Sequence, residues 1–181
     1  GFLWFGTQNG LCRFNGIEFT VFTREKDGVA EDRIFGLFED PVSGNLWAGS
    51  ESNGLFEFDG QGWKQYGTES GLPNTNFRAF LPRAERQFFS KMAGSTAKDA
   101  PKEKRTGDAI FLANMAGQLV ARNDSGFHPY SLPQRFSGMK IAFLAVDRHQ
   151  NLWLATAGHG ILQFNGTEIL STVPDNLIPK P

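Results

Sequence analysis

Apolar residues recur along most of this chain with a spacing of two, in short segments separated by turns rich in glycine, asparagine and aspartate. A spacing of two is typical of β-strands, whereas an amphipathic helix would show a spacing near 3.6. Several segments are apolar at consecutive positions, so both faces of those strands need a covering layer. The pattern therefore predicts an all-β protein whose sheets are packed face to face.

One five-residue apolar segment occurs four times, beginning at Leu3, Leu46, Ile110 and Leu152, and these starts lie 43, 64 and 42 positions apart. A period of about 40 to 45 residues is typical of one β-propeller blade. We therefore predict a partial β-propeller over residues 1–181, built of four-stranded antiparallel blades whose repeats start near residues 3, 46, 110 and 152. The long middle interval contains an insertion.

Each unit contains four predicted strands, designated A to D from the propeller axis outwards. The segment with Trp4, Trp47 or Trp153 is strand B, and a Gly-Leu or Gly-Ile segment follows as strand C. Asn-Gly or Asp-Gly then predicts a two-residue hairpin leading into strand D. A turn such as 71–73 leads into strand A of the next unit. Because the chain begins in strand B, it contains about three and three-quarter blades.

The tryptophans at the repeat position have two interpretations, core wedges between blades or a platform on which sugars stack. The residue two places further on is always small, as at Gly6 and Gly49, which allows a neighbouring sheet to approach closely. Because the tryptophans recur at the same repeat position, we favour the interpretation that they are core wedges between blades.

Residues 83–107 form a charged insertion in the loop between strands A and B of the third unit, with seven Lys or Arg against three Asp or Glu. A tolerated surface insertion is one interpretation, and a hook for a partner is the other. The chain closes with 173–179, which resembles the turn before another strand A. We therefore expect a fragment, or a copy that pairs with another, with the remaining blades or a homodimer partner covering its open ends.

The unit that begins Leu3-Trp4-Phe5-Gly6-Thr7 and continues x-x-Gly-Leu-x-x-Phe-Asn-Gly, then Phe-x-x-Phe, resembles the two-component regulator propeller repeat. The Gly-Leu-Pro at 71–73 fits the same pattern. The resemblance implies the periplasmic or extracytoplasmic sensor region of a bacterial hybrid histidine kinase, attached to a membrane through flanking segments. The kinase output would belong to the parent protein.

Bulk properties exclude several function classes. A net charge of −1 gives no electrostatic basis for binding nucleic acid, and the single cysteine excludes an internal disulfide. No histidine pair has metal-ligand spacing, and no cofactor is expected. We therefore expect a non-catalytic ligand-sensing module. The alternatives are a protein-interaction propeller scaffold and a propeller enzyme of the lyase or quinoprotein type.

Ligands of propellers commonly bind where the D–A and B–C loops gather, so the polar residues of these loops are the candidate ligand-binding residues. They could bind a small molecule or an oligosaccharide through hydrogen bonds with few charges. The D–A loops contribute Arg33, Asn74, Asn76 and Lys140, and the B–C loops contribute Asn9, Glu51, Asn53 and His159.

Overall fold

A computed structural model describes residues 1–29, 33–41, 43–81, 110–114, 116–123, 126–130, 138–149, 151–164 and 169–173. The described part is almost entirely β-structure, arranged as four separate antiparallel sheets. The predicted insertion at 83–107 and the closing segment from residue 174 onwards lie outside the described residues.

Each sheet follows the chain, so that every strand pairs with the next one in sequence. The first sheet has three strands, β1 (Leu3–Thr7), β2 (Gly10–Phe14) and β3 (Phe19–Phe22). The second has four, β4 (Ile34–Glu39), β5 (Leu46–Ser50), β6 (Leu55–Phe58) and β7 (Trp63–Tyr66). The third comprises β8 (Phe77–Leu81), β9 (Ile110–Asn114), β10 (Leu119–Asn123) and β11 (Gly126–Tyr130). The fourth comprises β12 (Ile141–Val146), β13 (Leu152–Thr156), β14 (Ile161–Phe164) and β15 (Ile169–Val173).

This order confirms the predicted four-strand unit and its phase. Strands β4, β8 and β12 are strand A, and the tryptophan segments β1, β5 and β13 are strand B. Strands β4 and β8 lie side by side, as do β8 and β12. The innermost strands of successive sheets are therefore neighbours, as the propeller arrangement requires.

The predicted two-residue hairpin between strands C and D is wrong in length. Phe14 pairs with Phe19, and Phe58 pairs with Trp63, so four residues form each connection. Asn15 and Asp59 begin these turns, and each side-chain oxygen accepts two backbone N–H groups, two and three residues further on. These side-chain hydrogen bonds close a four-residue turn, whereas a two-residue turn is closed by backbone hydrogen bonds.

Two short helical segments interrupt the β-structure, although the sequence pattern predicted no helix. Both lie in D–A connections: α1 (Arg24–Asp27) and a 3-10 turn at Thr68–Ser70. Each ends at a glycine with positive φ, Gly28 at 74° and Gly71 at 92°, whose N–H donates to the first residue of the segment. Glycine tolerates this left-handed conformation and so terminates the turn.

Successive sheets pack through apolar clusters in which strand B of one sheet meets strand A of the next. A side chain added at Gly6 would lie 2.9 Å from the carbonyl oxygen of Ile34, and one at Gly49 would lie 2.5 Å from that of Phe77. Ile34 and Phe77 are the first residues of β4 and β8. The glycine two places after Trp4 and the glycine two places after Trp47 therefore allow the close approach that the sequence predicted.

The tryptophans lie between sheets, which confirms the wedge interpretation for the two whose contacts are described best. Trp4 contacts Phe58 and Trp63 of the second sheet, with ring centroids 5.5 and 5.8 Å apart. Trp47 is 2% exposed and stacks on Tyr66 of its own sheet. In the third sheet Arg122 occupies the repeat position of Phe58, and its guanidinium lies 5.3 Å from the Trp47 ring centroid. A cation–π contact thus replaces an aromatic pair.

The tight packing at Gly49 gives a stability prediction. Gly49→Ala should lower the free energy of unfolding by about 1–3 kcal/mol, because the new methyl group would clash with the backbone of β8. Chemical denaturation followed by tryptophan fluorescence measures the change. Gly62→Ala is the matched control, since a methyl group there meets nothing within 4 Å. Equal stabilities of the two variants would contradict the packing assignment.

Candidate functional site

The innermost strands share a local irregularity at their second residue. The register with strand B shifts at Phe35 in β4, at Arg78 in β8 and at Ala142 in β12. An extra residue of this kind bends a strand and re-aims its side chain, and such bulges are common beside binding sites. The three equivalent bulges mark the end of the sheets at which strand A begins.

The B–C and D–A loops meet at this same end, as the sequence predicted. The N–H of Glu51 donates to the carbonyl of Arg33 at 2.9 Å, and the N–H of Ala157 donates to that of Lys140 at 2.9 Å. These equivalent hydrogen bonds tie a B–C loop to the residue before strand A in the second and fourth sheets. We call this end of the sheets the loop end.

A charged cluster forms at the loop end between the second and third sheets, and we call it the arginine cluster (Arg33, Phe35, Glu51 and Arg78). Glu51 Oε1 lies 3.8 Å from Arg33 Nη1 and 3.8 Å from Arg78 Nη2. The Arg78 guanidinium lies 3.6 Å from the centroid of the Phe35 ring, and that of Arg33 lies 5.7 Å from it. The carboxylate of Glu51 thus interacts with two guanidinium groups.

Of the four predicted asparagines, Asn53 and Asn74 have mainly structural contacts. The N–H of Asn53 donates to Ser50 Oγ at 2.8 Å, which closes the B–C turn of the second sheet. Asn74 Oδ1 accepts the backbone N–H of Asn76 at 3.1 Å. The side-chain nitrogen of Asn74, Nδ2, lies 3.5 Å from Gln118 Oε1. Asn76 Oδ1 is different, because it is buried and has no hydrogen-bond partner among the described residues.

Asn9, Lys140 and His159 are exposed at the same end of other sheets. The N–H of Asn9 donates to Thr7 Oγ1 at 3.1 Å, which is a turn contact. Within the described residues, none of the hydrogen bonds and ion pairs joins these three side chains to Glu51 or Arg78. The structure therefore brings Arg33 and Glu51 together, and it leaves these three in separate loops.

Sequence reasoning missed Phe35 and Arg78. Both lie inside strand A, where a regular alternation would have placed them against a neighbouring sheet, and the bulge changes that placement. The sequence did contain one indication of this site, because Arg78 is a charged residue between the apolar residues Phe77 and Ala79 of strand A, both of which are buried. Charged residues are rarely placed in a covered strand.

The opposite end of the sheets carries the A–B turns, and there the fourth sheet contains a polar network around Asp147. Its carboxylate accepts the N–H groups of His149 and Asn151, and Oδ2 accepts the indole N–H of Trp153 at 2.9 Å. Burial opposes ionisation, but hydrogen bonds from the Asn151 N–H, the Trp153 indole, the Asn151 amide and the His149 N–H outweigh it. Together they lower the pKa of Asp147 well below its usual value.

The equivalent Asp40 is also a turn residue, as the sequence predicted. Its backbone N–H donates to the Asn45 carbonyl, its carbonyl accepts the Gly44 N–H, and its side chain accepts the Ser43 hydroxyl. Neither aspartate lies in the arginine cluster. In the described part of the chain, no group of three His, Cys, Asp or Glu side chains is arranged to bind a metal. Nor do the described residues include a helix long and apolar enough to cross a membrane.

Comparison with known proteins gives matches in structure alone, since no family model and no curated protein matches the sequence. The extracellular domain of BT3049 from B. thetaiotaomicron, described as a hybrid two-component system, matches with a TM-score of 0.70 at 17% identity. The match covers 96% of this chain and 23% of that domain. The extracellular domain of BT4673, described in the same way and from the same organism, matches with a TM-score of 0.66 at 17% identity, covering 96% and 21%. This chain forms blades of a β-propeller.

An enzyme shares the fold as well. Virginiamycin B lyase from Staphylococcus aureus, in a catalytically inactive variant solved with quinupristin, matches with a TM-score of 0.62 at 15% identity. The match covers 98% of this chain and 54% of the lyase. The chain thus spans about a fifth of the two extracellular domains and about half of the lyase. All three matched proteins contain propeller blades. Two of them are described as hybrid two-component systems, the class of protein whose repeat this sequence resembles.

The Asp147 network predicts a pH dependence of stability. Because the pKa is lowered on folding, ionised Asp147 stabilises the fold above its unfolded pKa of about 4, and this contribution is lost as the pH falls below that value. Asp147→Asn should cost about 1–3 kcal/mol at neutral pH, through lost hydrogen bonds, and should flatten the fall in stability below pH 4.

Urea denaturation between pH 7 and pH 3 measures this effect. Glu39→Gln is the control, since Glu39 is an exposed carboxylate at the end of β4. If the curves of wild type and Asp147→Asn stay parallel over the whole range, the carboxylate does not have this role.

Proposed function

We propose that this chain is a non-catalytic, ligand-binding part of the extracytoplasmic sensor region of a bacterial two-component receptor. Two independent similarities support the proposal, the resemblance of the repeat and the fold shared with the extracellular domains of BT3049 and BT4673. In this proposal the chain lies outside the cytoplasm, and a histidine kinase output belongs to other parts of the parent protein.

The observation that carries the proposal is the separation of roles between the two ends of the sheets. The loop end presents charged and amide side chains on aligned bulged strands, whereas the turns of the opposite end use their carboxylates to hold the backbone. Binding residues are commonly placed on loops positioned by a rigid scaffold. Donors and acceptors from several blades could then contact one small molecule or oligosaccharide.

Simultaneous substitution of Arg33, Asn76 and Lys140 by alanine tests the loop end as the binding surface. These residues come directly before the first residue of β4, β8 and β12. Removing all three should weaken the binding of a ligand at least tenfold by calorimetry, because each lost polar contact costs about 1 kcal/mol. The melting temperature should change little.

The matched control replaces Arg148, Gln61 and Lys64 by alanine, since these exposed side chains lie in an A–B turn, in a C–D turn and on an outer strand. The probes are a panel of neutral and acidic oligosaccharides and short peptides. If no probe binds, or if both triple variants lose affinity equally, the loop end is not the ligand surface.

The enzyme alternative has one specific observation in its favour, the fold shared with virginiamycin B lyase. Mass spectrometry separates the two hypotheses, because a sensor returns its ligand unchanged. Each bound probe, together with quinupristin, should be recovered intact after prolonged incubation with the chain. Conversion of any of them would favour the enzyme. Capture of a protein through the loop end, with no small ligand bound, would favour the scaffold alternative.

The proposal includes a partner surface on the first sheet. Leu3 and Phe5 are 61% and 42% exposed, while Leu46 and Ala48, at the same repeat positions, are buried, and Ala48 packs in a cluster with Leu11 and Phe22 of the first sheet. We propose that a further blade of the same repeat covers Leu3 and Phe5, because a tryptophan-bearing blade face covers their counterparts. Light scattering tests whether a second copy supplies that blade, and Leu3→Ser with Phe5→Ser should then dissociate the dimer.

A further inference from the structure

Among the described residues, the arginine cluster has two guanidinium groups against one carboxylate, and one buried polar atom of the cluster has no hydrogen-bond partner. Two guanidinium groups share the carboxylate of Glu51, and both ion pairs measure 3.8 Å, longer than a hydrogen bond. Arg78 Nε is buried and has no hydrogen-bond partner within the described part of the chain. An unpaired buried N–H is costly, so a site that accepts an oxyanion would remove that cost.

The position of Arg78 is also unusual for its strand. Its two equivalents are Phe35 and Ala142, so the repeat does not need a charge at this bulge for folding. The guanidinium carbon lies 3.6 Å from the centroid of the Phe35 ring, so the ring packs against the guanidinium and restricts its movement. A planar, pre-oriented guanidinium matches the geometry of a carboxylate or sulfate, which it binds with two parallel hydrogen bonds.

We infer that the arginine cluster binds an oxyanion group of the ligand, a carboxylate or a sulfate, through Arg78 and Arg33, with Glu51 as the internal competitor for the same two side chains. The inference rests on the proposed function, because it names the ligand chemistry of that binding end. Phe35 orients Arg78. Asn76, whose buried Oδ1 lacks a partner among the described residues, supplies an acceptor two residues before Arg78 for a hydroxyl of the same ligand.

Arginine side-chain NMR tests the inference with defined probes. The Nε–Hε resonances of the 181-residue chain are titrated at constant ionic strength with sodium sulfate, with the methyl glycoside of galacturonic acid, which keeps its carboxylate, and with neutral methyl galactoside. We expect a saturable shift of the Arg78 resonance with at least one of the two anions and none with the neutral glycoside. The two anions distinguish a sulfate from a carboxylate as the preferred group.

Three variants and one control make the test specific. Arg78→Gln should weaken anion binding at least about tenfold, and Arg78→Lys should weaken it less, since it keeps the charge and loses the planar fork. Glu51→Gln should strengthen binding about two- to fivefold, because it removes the competing carboxylate. Arg148→Gln, with the same charge change in an A–B turn, should leave the affinity unchanged. Circular dichroism verifies that each variant folds.

The Glu51 variant separates a ligand site from a structural ion pair. A structural role predicts a less stable protein with no gain in anion affinity, and that result would overturn the inference. Equal losses in Arg78→Gln and Arg148→Gln would also overturn it. If neither anion shifts the Arg78 resonance while a neutral probe binds the loop end, the oxyanion assignment fails and the proposed function stands.

Discussion

The close contact between strand B of one sheet and the first residue of strand A in the next is the constraint on which the rest of the structure depends. At Gly6 and Gly49 the neighbouring carbonyl leaves no space for a side chain. This approach brings the apolar faces into contact, and it also fixes the spacing of the innermost strands. Because strand B is apolar on both faces, a single sheet would expose too much apolar surface to be stable.

The same stacking explains how the fold tolerates variation between units. The third unit lacks the tryptophan and the closing phenylalanine of strand C, yet its sheet has the same strand order. Arg122 packs its guanidinium over Trp47, where Phe58 packs against Trp4 in the preceding pair of sheets. In both sheets a flat group occupies this position, a ring in one and a guanidinium in the other.

The loop end owes its geometry to the aligned innermost strands. Because β4 and β8 are neighbours with equivalent bulges, Phe35 and Arg78 come into contact although they belong to different blades. Glu51 joins them because its backbone is hydrogen-bonded to Arg33 at the start of β4. The cluster is therefore a product of stacking, and a single blade would not contain it.

The sequence by itself determined the strand order, the repeat phase and the wedge role of Trp4 and Trp47, because these depend on periodicity within one unit. The sequence also placed Arg33 and Glu51 at the same end of the sheets, because in antiparallel blades the D–A and B–C loops always lie at one end and the A–B and C–D turns at the other. Only the tertiary structure decided that Arg78 and Phe35 join them, because a bulge depends on pairing across strands and their contact depends on the approach of two sheets. The four-residue turns after Asn15 and Asp59 were likewise decided by side-chain hydrogen bonds that the dipeptides alone do not specify.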